Sequence, residues 1–245
     1  QPTPPPKSPS APPPAPDPGT CRALDFADIG SSSNAAKEVP CAEPHTAYTF
    51  AVPDLPDDIA FEGVDVKNEA VQTFAADVCQ DKYASFVGGD AARRALARLS
   101  ATYFVPDQGA FDLGAQWVRC DVVALRSAGM LATLPRELEG VLDEEDALDQ
   151  LGLCSQGAPG AEGSTLVMCS EEHSYRALAA LRLGGTGSPY PGPEVAGDGG
   201  KQRCEDLVRE TVGADKGFTY GWTYPSTADW QSGQRFGYCW LENAR

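Results

Sequence analysis

Eight cysteines and two histidines are the residues of this 245-residue chain whose types and spacing could do chemistry. The cysteines are Cys21, Cys41, Cys79, Cys120, Cys154, Cys169, Cys204 and Cys239, and no two lie closer than 15 residues. His45 and His173 each stand four residues after a cysteine, as Cys-x-x-x-His. Thiolates with imidazoles can hold zinc, paired thiols can form disulfides, and an imidazole can act as a base or a pH-sensitive group. Structural zinc uses close Cys-x₂₋₄-Cys knuckles. The chain has none, so the two Cys-x-x-x-His pairs are its zinc-like feature. An even count with wide spacing favours disulfides and an oxidising compartment. No metal and no cofactor is expected.

The cysteines fall into two sets of four, and the residues around them match in order. Gly19-Thr-Cys21 resembles Gly152-Leu-Cys154, and Cys41-Ala-Glu-Pro-His45 resembles Cys169-Ser-Glu-Glu-His173. The segment Cys79–Gly88 aligns with Cys204–Gly213 without a gap, and Pro106, Gly114 and Cys120 are spaced as Pro225, Gly233 and Cys239. The chain therefore reads as a Pro-rich disordered stalk (1–18), a first repeat (19–128), an acidic helical linker (129–149) and a second, homologous repeat (150–245). Ten prolines in residues 1–18 favour extended chain with nothing to bury.

Hydrophobic patterning gives the two repeats similar elements, with two helices in the first and one in the second. In the first, strands are expected at 37–41, 46–52, 102–105 and 116–125, with helices at 66–87 and 91–99. In the second, strands are expected at 165–169, 174–183, 218–224 and 235–241, with a helix at 202–212. Leu134, Leu138, Val141, Leu142 and Leu148 form a rough helical stripe in the linker. The fold class is α+β: two small disulfide-bonded domains, each a mixed or antiparallel sheet with one or two helices. At this size disulfides supplement a modest core, each adding about 3–4 kcal/mol by constraining the unfolded chain. The expected pairing is Cys21–Cys41, Cys79–Cys120, Cys154–Cys169 and Cys204–Cys239, with the opening strands bridged and the helix pinned to the last strand. A nested pairing, first with fourth and second with third, is the alternative.

Charge limits the partners. The chain carries 19 basic and 35 acidic residues, a net charge of −16, which disfavours nucleic acid. Residues 19–130 hold 9 basic and 16 acidic side chains and residues 131–245 hold 9 and 18, so both repeats are acidic. The run Asp143–Asp146 lacks EF-hand spacing and reads as a solvated helix end. There is no Gly-x-Ser-x-Gly elbow, no Ser-x-x-Lys and no His-Glu-x-x-His, so no enzyme activity is expected. His45 and His173 read either as functional imidazoles or as turn-closing residues. Their occurrence in both repeats favours the structural role. Rings crowd the last segment, where Tyr220, Trp222, Tyr224, Trp230 and Trp240 could form an aromatic binding surface or pack as core.

The segments Cys21-Arg-Ala-Leu-Asp-Phe-Ala-Asp-Ile29, Val39-Pro-Cys-Ala-Glu-Pro-His-Thr-Ala-Tyr-Thr-Phe50 and Gly114-Ala-Gln-Trp-Val-Arg-Cys-Asp-Val122 resemble the septum formation domain family of actinobacterial envelope proteins. The second repeat keeps Cys-x-x-x-His and Trp230-Gln-Ser-Gly-Gln-Arg-Phe-Gly-Tyr-Cys239, with Glu172 in place of Pro44 and Phe236 in place of Trp117. The resemblance implies an extracytoplasmic location, secreted or membrane-anchored with the domains outside, and a link to cell division. It implies no chemistry. An excess of Arg over Lys, 13 to 6, agrees with GC-rich coding. No stretch approaches the ~20 apolar residues of a transmembrane helix, so membrane association would need an anchor upstream of Gln1.

The expected function is a non-catalytic envelope protein that binds a protein partner or a cell-wall component. The alternatives are a wall hydrolase using acidic residues with His45 and His173, and a zinc- or pH-sensing module. Mass spectrometry of non-reduced peptides should find Cys21 linked to Cys41; a peptide joining Cys21 to Cys120 would establish the nested pairing instead.

Overall fold

The computed structural model describes residues 11–61, 63–213 and 217–242. The expected stalk lies partly outside the described residues; within it, residues 11–18 carry no helix or strand. The first elements are β1 (Cys21–Arg22), β2 (Glu38–Val39), β3 (Ala47–Ala51), α1 (Glu69–Val87), α2 (Ala91–Leu96), β4 (Leu99–Phe104), α3 (Gln108–Asp112), β5 (Arg119–Ser127) and β6 (Met130–Leu131). Then follow α4 (Ala147–Leu151), β7 (Leu153–Ser155), β8 (Leu166–Met168), β9 (Tyr175–Arg182), α5 (Pro193–Val212), β10 (Tyr220–Thr223), α6 (Thr227–Gln231) and β11 (Phe236–Glu242). The fold is α+β, and the pairs β1–β2, β1–β3, β3–β5, β5–β6, β7–β8, β7–β9, β9–β11 and β10–β11 are antiparallel.

Local chemistry starts the short helices. The Asp90 carboxylate accepts from the Arg93 N–H at the head of α2, and Asp107 accepts from Ala110 N–H at the head of α3. Ser226 and Asp229 form a capping box on α6, and Pro193 sits in the first turn of α5. Each satisfies or removes a donor that a helix N-terminus would otherwise leave unpaired.

The chain divides into two compact units, one up to Tyr83 with Ser100–Val123, the other Ala84–Leu99 with the chain from Ala124 onward. The first unit is built on a sheet of order β2-β1-β3-β5-β4. Its α1 lays Val71, Ala75 and Cys79 on a core with Leu55, Val66, Val105, Phe111, Val118 and Cys120. The second has the order β8-β7-β9-β11-β10. In it α5 covers one sheet face through Cys204 and Val208, against Cys239 and Leu241. Leu96 of α2, with Ala92 and Ala95, packs in a second cluster with Leu153, Tyr175, Ala177, Ala180 and Trp240.

The two sheets match in order and in register. Cys21 pairs with Val39 and Tyr48; Cys154 pairs with Val167 and Arg176. Tyr48, Thr49 and Ala51 face Val122, Asp121 and Cys120, just as Arg176, Ala177 and Ala179 face Leu241, Trp240 and Cys239. The register slips at the same place in both. The disulfides are Cys21–Cys41, Cys79–Cys120, Cys154–Cys169 and Cys204–Cys239, with no free cysteine. In each unit one bridge joins the first strand to the chain before the third, and the other fastens the long helix to a central strand.

Two expectations need correction. The segment 129–149 is not one helix. A single 3₁₀ turn at Val141–Asp143 precedes α4, and Gly140 takes φ 66°. Pro135 and Gly140 interrupt the chain, and Leu134, Leu138 and Leu142 are buried at i, i+4 intervals without a helix joining them. Arg93 gathers this segment by donating to the carbonyls of Leu142, Glu144 and Glu145, while the Asp143 carboxylate accepts from Gly89 N–H. Second, α5 begins at Pro193, nine residues before the expected start.

Gly197, Gly199 and Gly200 make the head of α5 read as a loop, yet the glycines have a packing role. A Cβ on Gly200 or on Gly237 of β11 would overlap the Trp222 indole, whose Nε1–H donates to Ala196 O at 2.9 Å. The matching positions in the first unit hold Ala75, Val118 and the smaller ring of Tyr103. Volume is thus exchanged between ring and backbone-bearing residues at one site. Gly200→Ala should therefore destabilise the protein by about 1–3 kcal/mol through overpacking, and adding Trp222→Tyr should recover most of the loss. Urea unfolding of the single and double variants measures this.

Candidate functional site

The imidazoles are held in the same way in both units. His45 Nδ1–H donates to Glu43 O at 2.9 Å, and His173 Nδ1–H donates to Glu171 O at 2.7 Å. Each closes the turn that leads into β3 or β9. His45 is buried, and its Nε2 has no hydrogen-bond partner among the described residues. The sulfurs of both Cys-x-x-x-His pairs lie in disulfides, so neither pair offers a thiolate and an imidazole to one ion. Among the described residues no group of three or more His, Cys, Asp or Glu is placed to hold a metal.

The five rings singled out for an aromatic surface do not form one. Trp230 and Trp240 are 4% and 1% exposed. Trp230 donates to Ser188 O and packs on Gly184, and Trp240 donates to Thr223 Oγ1. Tyr220 and Trp222 lie half-buried with the core beneath α5, where Tyr220 O–H donates to Glu205. Tyr224 alone is exposed, at 39%. The reason is that α5 and α2 supply opposite counter-faces, so both ring sets of the alternating strands are covered.

The most unusual chemistry lies in the first unit, on the face of its sheet away from α1. Arg22, Thr49, Arg119 and Asp121 are all buried there, the last with no exposed surface. They form a chain of contacts across three neighbouring strands. Arg22 donates to Thr49 Oγ1 at 2.6 Å, and Thr49 donates to Asp121 Oδ1 at 2.7 Å. Arg119 Nε–H donates to Asp121 Oδ2 at 3.0 Å, and its guanidinium lies 4.3 Å from the Phe104 ring centroid. Burial pushes the Asp121 carboxyl up, against Arg119, the Thr49 hydrogen bond and Arg22, which hold it down. Burial likewise lowers Arg119, opposed by Asp121.

Both arginines also reach outward to one loop. Arg22 pairs with Glu38 at 2.9 Å, and Arg119 donates to the Asn34 carbonyl and side chain at 3.4 Å. Val105 N–H donates to Ser32 O at 2.8 Å. The loop is thereby fixed at Ser32 and Asn34, and at Glu38 where it enters β2. Beside it lies a cleft of about 560 Å³ lined by Ile29, Gly30, Ser31–Ser33, Lys67, Gln72, Thr102 and Tyr103. The Tyr103 hydroxyl donates to Gln72 Oε1 at 3.2 Å, while Gln72 Nε2–H donates to Val66 O at 2.8 Å. These bonds tie the two side chains of this wall to each other and to the backbone.

The matching positions of the second unit hold Ser155, Ala177, Tyr238 and Trp240 in place of Arg22, Thr49, Arg119 and Asp121. There the same face is apolar and α2 covers it. Sequence reading missed this cluster because it compared what the two halves share. The signal was present in Val118-Arg119-Cys120-Asp121-Val122, an ion pair at i and i+2 inside an apolar strand. Subtracting one half from the other exposes it.

The family model described as Septum formation matches residues 18–239 of the chain. No curated protein and no solved structure matches it. Among the described residues no helix is long and apolar enough to cross a membrane.

Asp121→Asn would leave the buried Arg119 without its counter-charge and should cost about 3–5 kcal/mol of stability. Arg119→Met combined with Asp121→Leu removes both charges and should cost clearly less. Chemical denaturation of the two variants checks the ordering.

Proposed function

The chain belongs to the septum formation family, and from that premise we propose that it is a non-catalytic binding protein of the cell envelope, acting outside the membrane. The observation that carries this reading is the cleft of the first unit, whose Ser31–Ser33 wall is anchored by two buried arginines. A buried ion cluster is costly and the second unit manages the same sheet without one. Its retention in one unit is accounted for by the loop it fixes. Four disulfides with no free thiol suit an oxidising compartment, which supports a secreted or anchored protein with its domains outside.

We further propose that the two units are tandem copies of one ancestral domain. Equal strand order, equal register, the shared register slip and equivalent disulfides support this. One copy then keeps the binding cleft, while the other packs aromatic rings in place of the ion cluster that fixes the cleft's loop. The ligand is a cell-wall component, and the setting is an actinobacterial envelope at the division septum. His45 and His173 take structural parts in this reading, since each closes a turn, and no catalytic or zinc-sensing role is assigned to them.

A fluorescently tagged full-length protein should fractionate with the envelope, gather at the septum and co-sediment with purified wall. Its cysteines should resist alkylation until reduced. A uniform cytosolic signal with alkylatable thiols would refute the reading.

A further inference from the structure

We infer that the cleft of the first unit binds a carboxylate-bearing sugar, its hydroxyls met by Ser31–Ser33, Thr102 and Tyr103 and its carboxylate by Lys67. This deepens the wall-component reading above and rests on it. At about 560 Å³ the cleft falls within the usual size range of small-ligand sites. Its side chains are chiefly hydroxyls, with one amide and one ammonium.

Each feature narrows the ligand. Serine and threonine hydroxyls donate and accept equally, so they suit a partner whose groups do both, as sugar hydroxyls do. Gln72 is locked between Tyr103 and Val66 and therefore presents a fixed remaining N–H rather than a rotating amide. Lys67 is exposed and makes no ion pair among the described residues. In a chain with net charge −16, a free ammonium at the mouth of a neutral polar cleft is set to attract an anionic group. One ammonium, without an arginine or a second lysine on the lining, matches a monoanionic carboxylate better than a phosphate, which calls for several charge-assisted donors.

The loop's anchoring explains why only this unit would bind. Arg119 to Asn34, Arg22 to Glu38 and Val105 to Ser32 hold the serines in place before the sugar arrives. Ordering a mobile loop on binding would subtract from an affinity that is small for a single sugar. The second unit has neither arginine at the matching positions.

The test is a titration of the disulfide-intact protein followed by amide NMR. The probes are N-acetylmuramic acid, which carries a carboxylate, and N-acetylglucosamine, which lacks it. Saturable shifts at residues 29–33 and 102–103, with N-acetylmuramic acid bound about tenfold more tightly, support the inference. Lys67→Gln should erase that preference and Lys201→Gln should leave it intact. Equal affinity for both sugars, displacement of the sugar by equimolar inorganic phosphate, or no shift at millimolar sugar overturns it. If shifts are absent while the protein still co-sediments with purified wall, the cleft assignment falls and the binding reading stands. If neither is seen, both fall.

Discussion

Asp121 has no exposed surface, and a carboxylate withdrawn from water must find cations and donors or lose its charge. That constraint organises the first unit. Thr49, its cross-strand partner, supplies a hydroxyl; Arg119 supplies a guanidinium from the same strand; Arg22 closes the row from β1 through Thr49. Two cations then need counter-charges and acceptors of their own, and they find them in Glu38 and Asn34. The loop between β1 and β2 is held in place as a consequence of neutralising one buried carboxylate. The cleft exists because that loop stays beside β4.

The second unit shows the same scaffold filled by other physics. Its β11 places Tyr238 and Trp240 where β5 has Arg119 and Asp121, and α2 lies over them. Burial of large rings supplies the favourable term that an ion cluster does not supply. On the opposite face the scaffold is conservative. A long helix is fastened to a central strand by Cys79–Cys120 in one unit and Cys204–Cys239 in the other. Each bridge restricts the unfolded chain and so adds to what the core of a domain of this size supplies. Beneath that helix the larger ring, Trp222, is paired with Gly200 and Gly237, and the smaller ring, Tyr103, with Ala75 and Val118. A close-packed site admits the bigger ring only where its neighbours are smaller.

One face can carry costly charges if the neighbouring sequence supplies apolar burial elsewhere. Here the disulfides reinforce both units, and the charged face is confined to one.

Much of this was legible in the chain by itself. Cysteine spacing with flanking Gly, His and Pro marked two sets of elements, and the expected pairing tied each long helix to a last strand. The strands of β3, β5, β9 and β11 and the helix α1 followed from periodicity, because side chains on a strand alternate faces whatever lies above them. The start of α5 was hidden, since glycines chosen to admit Trp222 and Tyr224 carry no helical signal. The ion cluster and cleft were hidden for a related reason. Alternation tells which residues share a face, but the element that covers the face comes from distant chain: the Ser31–Asn34 loop in the first unit, α2 in the second. Whether Arg119 and Asp121 or Tyr238 and Trp240 are accommodated depends on that cover, and only the tertiary structure decides it.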